Sequence, residues 1–134
     1  MTFATRRQNI RTEVDVVVAL SKLREDALEL GFSGYDVTRV VTAASELARN
    51  ILKYAGTGNI SYSKLVDGAK LGVEFVARDN GPGIADVDQA LVDNYSSSDT
   101  LGLGLPGVKR LVDEFEVNSE VGVGTTVAFK VWKS

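Results

Sequence analysis

Glu46, Asn50 and Lys53 place an acid, an amide and a base within one run, Tyr35 to Ala55, that holds no glycine or proline. At about 100° per helical residue, these three side chains fall within roughly 60° of one another. Val40, Ala43, Ala44, Leu47 and Ile51 recur beside them, so the run is expected to be a helix with one buried side. The polar stripe is then either a solvated helix face or one wall of a reactive site. Histidine and cysteine are both absent. That removes histidine-based triads, imidazole and thiolate metal sites, an internal phosphohistidine and any disulfide framework. Carboxylates, amides, Lys, Ser, Thr or a bound ion must carry whatever chemistry there is.

Three glycine-bearing motifs follow. Asp79-Asn-Gly-Pro-Gly83 comes directly after a strand-like run. Its glycines permit close backbone approach to a flat ligand, and its carboxylate can accept from an exocyclic amine. A polar turn leaving the strand is the plain alternative. Gly102-Leu-Gly-Leu-Pro-Gly107 opens a helical pattern, where free amides and the positive end of the dipole favour an anion. It is neither a Walker A loop, since no Gly-Lys-Ser/Thr follows, nor the dinucleotide fingerprint. Gly124-Thr-Thr126 opens a final strand, where a threonine hydroxyl can meet a ligand or satisfy a turn.

The elements that would position these groups are legible in outline. A short strand is expected around Asn9-Ile-Arg11. A first helix, with Asp15 as a plausible N-cap, should run to Leu30 with Val16, Ala19, Leu20, Leu23, Ala27 and Leu30 on one side, and Gly31 should stop it. Ser33 or Asp36 opens the second helix, which ends at Gly56-Thr-Gly58. Asn59 to Val66 and Leu71 to Arg78, joined by Asp67-Gly68, form a hairpin signal. Ala85 to Thr100 is the least periodic stretch, a candidate lid with a short helix near Asp86 to Asp93. A helix through Phe115 is expected next, with Val108, Leu111, Val112 and Phe115 inward, then strands Phe115 to Ser119 and Thr125 to Trp132. The order β-α-α-β-β-lid-α-β-β implies an α+β two-layer sandwich, helices on one face of a mostly antiparallel sheet.

Whole-chain properties narrow the class. The 134 residues suit one domain, 1–134, and 44% apolar with 25% charged residues is ordinary globular composition. A net charge of −3 argues against bulk nucleic-acid binding. No apolar run nears the roughly 20 residues of a membrane span, and no signal-peptide core is present. A cytoplasmic protein without membrane contact is the expectation.

Taken as an ordered set, these motifs are specific. The chain resembles the GHKL, or Bergerat-fold, ATP-binding superfamily of gyrase B, Hsp90, histidine kinases and MutL. Glu46 to Lys53 is similar to its N box, Asp79 to Gly83 to its G1 box, Gly102 to Leu105 to its G2 box, and Gly124 to Thr126 to its final threonine motif. Thr42-Ala-Ala-Ser-Glu-Leu-Ala-Arg-Asn50, Tyr54-Ala-Gly, Asn80-Gly-Pro-Gly-Ile84 and Leu101 to Phe115 resemble the RsbT-type serine/threonine switch kinases of the stressosome. The resemblance implies ATP as ligand and Mg²⁺ on Asn50. It implies a nucleotide-contact set of Asn50, Lys53, Asp79, Gly81, Gly83, Ile84, Gly102, Leu103, Gly104, Leu105, Gly107 and Thr126. Asp79 would accept from the adenine amine, Gly83 and Thr126 would shape the base pocket, and Gly102 to Gly107 would cover the phosphates. Glu46 would orient or deprotonate a nucleophile, with Lys53 or Arg49 balancing phosphate charge.

The nucleophile separates the branches of that superfamily. With no phosphoacceptor histidine and no attached transducer domain in view, the resemblance implies a kinase acting in trans on a serine or threonine of STAS-domain partners. It also implies binding to a PP2C-type phosphatase, and leaves a homodimer open. An RsbW-type anti-sigma factor kinase, an ATP-regulated binding module and a stand-alone ATPase are the competing readings.

Overall fold

The computed structural model describes residues 5–91 and 104–134. The chain starts with β1 (Arg6–Ile10), followed by α1 (Glu13–Glu29) and α2 (Gly34–Asn50). A single π-helical turn, Ile51–Ala55, extends α2. The hairpin β2 (Gly58–Asp67) and β3 (Lys70–Asp79) comes next, then the short α3 (Val87–Ala90), α4 (Gly104–Leu111), β4 (Glu114–Glu120) and β5 (Gly124–Trp132). All strand pairs are antiparallel, in the order β1-β2-β3-β5-β4. The α+β sandwich expected from the element order is therefore the observed architecture. The proposed lid falls largely on residues 92–103, outside the described residues.

Alternation builds the sheet side of the core. Ile60 and Tyr62 of β2, Val73, Phe75 and Ala77 of β3, and Val127, Phe129 and Val131 of β5 are all buried, one side chain in two as the pleat demands. Phe75 and Phe129 are register partners and stack at 5.1 Å between centroids. The helices answer with Val16, Ala19, Leu23 and Ala27 from α1 and Val37, Val40, Ala43, Ala44 and Leu47 from α2.

Two boundaries differ from the expectation. Thr12, not Asp15, caps α1: the Thr12 hydroxyl accepts from the Asp15 amide at 3.3 Å, and Asp15 Oδ2 accepts from the Thr12 amide at 3.1 Å. This reciprocal pair is a capping box, in which the acid belongs at the third helical position. The second difference is α4, which ends at Leu111, while Phe115 lies in β4 opposite Phe129. Val108, Leu111, Val112 and Phe115 fit a helical period only because the end of a helix and the start of a strand are read together. The break comes where Arg39 Nε takes the Leu111 carbonyl at 2.8 Å and the Asp113 amide turns to the Lys130 carbonyl.

Polar clamps fix both ends of the helical layer. Asp26 is 4% exposed and accepts from the Tyr62 hydroxyl at 2.5 Å and from Arg6 Nε at 2.8 Å. Burial and the adjacent Asp26 carboxylate push the Tyr62 phenol well above its usual value, so it stays the donor. At the start of α2, Ser33 Oγ accepts from the Asp36 amide. The fully buried Asp36 carboxylate receives Arg39 Nη1 at 2.9 Å and both the amide and hydroxyl of Ser134, at 3.0 and 2.7 Å. Arg39 also bonds Asp113 at 2.9 Å, so one guanidinium ties α2 to the segment between α4 and β4.

Burial alone would raise the Asp36 pKa, but the bonds from Ser134 and Arg39 outweigh it and hold the carboxyl below its ordinary value. A depressed carboxyl stabilises the fold above its unfolded pKa, about 3.9, and loses that contribution as pH falls through the lowered folded value. Asp36→Asn is accordingly expected to cost about 3 kcal/mol at pH 7. In denaturant titrations, the gap from wild type should narrow steadily below about pH 4.

Candidate nucleotide-binding site

A cleft of about 490 Å³ opens between the end of α2 and the adjoining ends of β3 and β5. That volume is in the range of small-molecule sites. Leu47, Ile51, Ala77, Ile84, Leu105 and Val127 supply apolar walls, while Asn50, Asp79, Asp86 and Thr125 supply polar atoms. Four stretches singled out in the sequence therefore converge on one hollow.

The α2 side is shaped by its irregular end. After Asn50 the backbone widens to i→i+5 bonding, and the Gly56 amide reaches the Ile51 carbonyl at 2.9 Å. Such π turns recur at functional sites because they re-aim side chains without ending the helix. Here the wide turn carries Asn50, Ile51 and Tyr54 to the cleft wall. It also rotates Lys53 off the stripe that a regular helix would give. Lys53 is exposed, its Nζ lying 5.3 Å from the centroid of the Tyr54 ring, and is not a lining residue. Glu46 is partly buried one turn before Asn50, just beyond the lining residues. Arg49 turns away to α1, where it pairs with Glu13 at 2.8 Å and contacts Ser45.

The sheet side is organised by Asp79, the last residue of β3. Its Oδ1 accepts from the Gly81 amide at 2.8 Å and from the Thr125 amide at 3.3 Å. Two backbone donors thus fix the carboxylate. Gly124, opposite, is needed because a Cβ there would lie 2.1 Å from the Asp79 carbonyl. Gly83 has φ +78°, and a Cβ on it would lie 2.4 Å from the Glu120 carbonyl, so the Asp79–Gly83 loop is pressed onto the β4–β5 turn. Gly83→Ala is expected to cost about 2–3 kcal/mol, combining a left-handed backbone with a steric clash, measurable as a lowered denaturation midpoint.

Of the glycine-rich stretch, Gly104 and Leu105 line the cleft, as does Pro106, whose missing N–H is harmless in a first turn. Gly107 is buried within α4 and does not line it. Gly102 and Leu103 lie outside the described residues.

The threonine at the cleft is Thr125 rather than Thr126. Period-two alternation is the physical reason: Val127, Phe129 and Val131 face the helices, Thr125 shares their parity, and Thr126 belongs to the opposite face. That signal was available in the strand pattern. Ser119 had no such signal. Its hydroxyl joins the Ile84 amide at 2.7 Å, the Thr125 hydroxyl at 2.8 Å and the Gly124 carbonyl at 3.2 Å, so it ties the loop after β3 to the start of β5.

A second hollow, about 210 Å³, is lined by Arg6, Gln8, Lys22 and Tyr62 among others and contains none of the motif residues. Among the described residues, no three acidic side chains gather as a metal cage, and no helix is long and apolar enough to cross a membrane. One amide oxygen, Asn50, at the wall of a nucleotide-sized cleft fits the limited protein ligation that Mg²⁺ needs when phosphate supplies the rest.

Comparison with known proteins identifies the family. Residues 35–134 match the family model described as histidine kinase-, DNA gyrase B-, and HSP90-like ATPase. The serine/threonine-protein kinase RsbT of Bacillus subtilis is 49% identical over 92% of this chain and 92% of its own. An anti-sigma F factor of Thermoanaerobacter is 26% identical over 95% of this chain and 87% of its own. Among solved structures, the RsbU and RsbW domains of a Mycobacterium tuberculosis protein superpose with a TM-score of 0.65 at 18% identity, covering 98% of this chain and 34% of that one. The catalytic domain of the histidine kinase ThkA gives 0.54 at 14% identity, covering 96% of each chain.

Proposed function

The chain belongs to the histidine kinase-, DNA gyrase B- and HSP90-like ATPase family and is a protein serine/threonine kinase, and from this premise we propose how its cleft performs the transfer. The observation that carries the proposal is the convergence of Asn50, Asp79 and Thr125 on one cleft with apolar walls.

In this reading the adenine lies between Ile51, Ala77, Ile84 and Val127, and Asp79 Oδ2 accepts from its exocyclic amine. The triphosphate runs toward Asn50 and the start of α4, where first-turn amides and the helix dipole favour anionic oxygens. Mg²⁺, held by Asn50 and phosphate oxygens, would neutralise part of the phosphate charge.

Glu46 then acts one helical turn from Asn50. An acceptor serine or threonine oxygen forms a bond to the γ-phosphorus as the bond to the β–γ bridging oxygen breaks. The hydroxyl proton passes to the Glu46 carboxylate, and ADP leaves with the bridging oxygen. Phosphoryl transfer asks mainly for positioning and charge neutralisation, so one carboxylate is adequate equipment. We assign Lys53 no direct contact, since its wide-turn position lies off the cleft wall.

The acceptor class we propose is a STAS-domain protein, with a PP2C-type phosphatase as a second binding partner in a partner-switching pathway. The support is the 49% identity to RsbT together with the anti-sigma F relatives. Incubation with γ-labelled ATP, Mg²⁺ and a STAS-domain protein tests it. Label on a serine or threonine of that protein is the expected result. ATP binding without transfer to any STAS-domain protein would contradict the acceptor assignment.

A further inference from the structure

Ser119 lies toward the end of the inward face of β4, opposite Thr125 in the register, and is only partly buried. Its three hydrogen-bond partners nevertheless determine one another. A hydroxyl has a single proton and two lone pairs. The Ile84 amide can only donate, so it occupies one lone pair. The Gly124 carbonyl can only accept, so it takes the Ser119 proton. The Thr125 hydroxyl must then donate its own proton to the remaining lone pair of Ser119. All three contacts are satisfied together in this arrangement alone.

The consequence reaches the cleft. Thr125 has turned its proton toward Ser119 and faces a ligand as an acceptor. The Ile84 amide is spent on Ser119, and the Gly81 and Thr125 amides are spent on Asp79. These three amides and the Thr125 hydroxyl proton are therefore consumed within the protein, while the Asp79 carboxylate and the Thr125 hydroxyl oxygen both accept. We infer that Ser119 is a positioning and specificity-determining residue: by holding the Thr125 proton and the Ile84 amide, it leaves the Thr125 hydroxyl oxygen beside the Asp79 carboxylate as a second acceptor at the base end of the cleft. With the base seated as proposed above, its 6-substituent toward Asp79, this pair of acceptors matches an amine at that position and opposes a carbonyl oxygen there. It selects adenine over guanine without Ser119 touching the base. This inference rests on the nucleotide assignment above.

Removing the Ser119 hydroxyl frees both donors. Ser119→Ala should weaken ATP binding by about 10-fold, the scale of one misplaced buried hydrogen bond, and leave GTP binding unchanged or tighter, so that the ATP-to-GTP affinity ratio falls by about 10-fold or more. Ser119→Thr, which keeps a hydroxyl, should restore the ratio. In a Thr125→Val background, Ser119→Ala should change the ratio far less, because no threonine proton remains to be released. These titrations need only the full chain, ATP, GTP and Mg²⁺. Equal weakening of both nucleotides by Ser119→Ala, or no change in either, would overturn the inference while leaving the cleft assignment intact. A wild-type chain that binds neither nucleotide would overturn the cleft assignment itself.

Discussion

Glu46→Gln is expected to slow phosphoryl transfer to a protein acceptor by about 10²- to 10⁴-fold, the range typical of a lost general base. ATP affinity should stay within about twofold of wild type, because the lost proton acceptor acts on the transition state and not on the bound nucleotide. The expectation follows from where Glu46 sits. It is partly buried on α2, one turn before Asn50 and outside the set of residues that line the cleft. Removal of its charge should therefore leave the adenine and phosphate contacts in place. Single-turnover transfer measured beside equilibrium ATP binding separates the two effects. Parallel loss of binding and transfer would mean that Glu46 holds nucleotide or fold instead of the proton.

The second large effect is Asp79→Asn, which should weaken ATP binding by about 100-fold, near the upper end of the cost of one hydrogen bond to a charged group. The substitution is nearly isosteric. The amide oxygen of asparagine can still accept from the Gly81 and Thr125 amides, as Oδ1 does at 2.8 and 3.3 Å, so the loop geometry should survive. What changes is the other atom: a carboxylate oxygen that accepts becomes an NH₂ group that donates. Facing an exocyclic amine, that group loses a bond and meets a like donor. Facing a guanine carbonyl, it gains a partner. Preference for ATP over GTP should therefore collapse in this variant while its melting temperature stays near that of wild type. A large drop in melting temperature would instead assign Asp79 a structural role in the β3–β5 junction.

Much of the architecture could be read from the chain before any coordinates. The strand alternation, the two helix patterns and the Asp67-Gly68 turn lead to the observed antiparallel sheet under one helical layer. The failures are local and physical. Val108, Leu111, Val112 and Phe115 satisfy a helical period across a boundary that Arg39, from α2, enforces through Leu111 and Asp113. Asp15 has the side chain of a cap, but Thr12, three residues earlier, takes that position and Asp15 completes the reciprocal pair.

The site shows the same division. Asn50, Asp79, Gly83 and Leu105 come to one cleft as their motifs suggested, because each motif sits at the end of a regular element whose direction the pattern determines. Lys53 falls off the stripe because a π turn intervenes, and no residue type announces a π turn. Thr125 was legible from parity, and only the doubled threonine obscured it. Ser119 was not legible at all: its importance comes from meeting Ile84 and Thr125 in space, which depends on strand order and register rather than on any spacing along the chain.

The most direct test of where the nucleotide sits is an NMR titration of the isotopically labelled chain with Mg-ATP. With nucleotide in the cleft, saturable shifts are expected at the amides of Gly81, Gly83, Ile84 and Thr125 and at the Asn50 side chain, with the Asn50 response reduced when Mg²⁺ is chelated. Arg6, Gln8, Lys22 and Tyr62, around the other hollow, should stay unchanged. Shifts centred on those four residues, with Asp79 and its amide partners unmoved, would contradict the account.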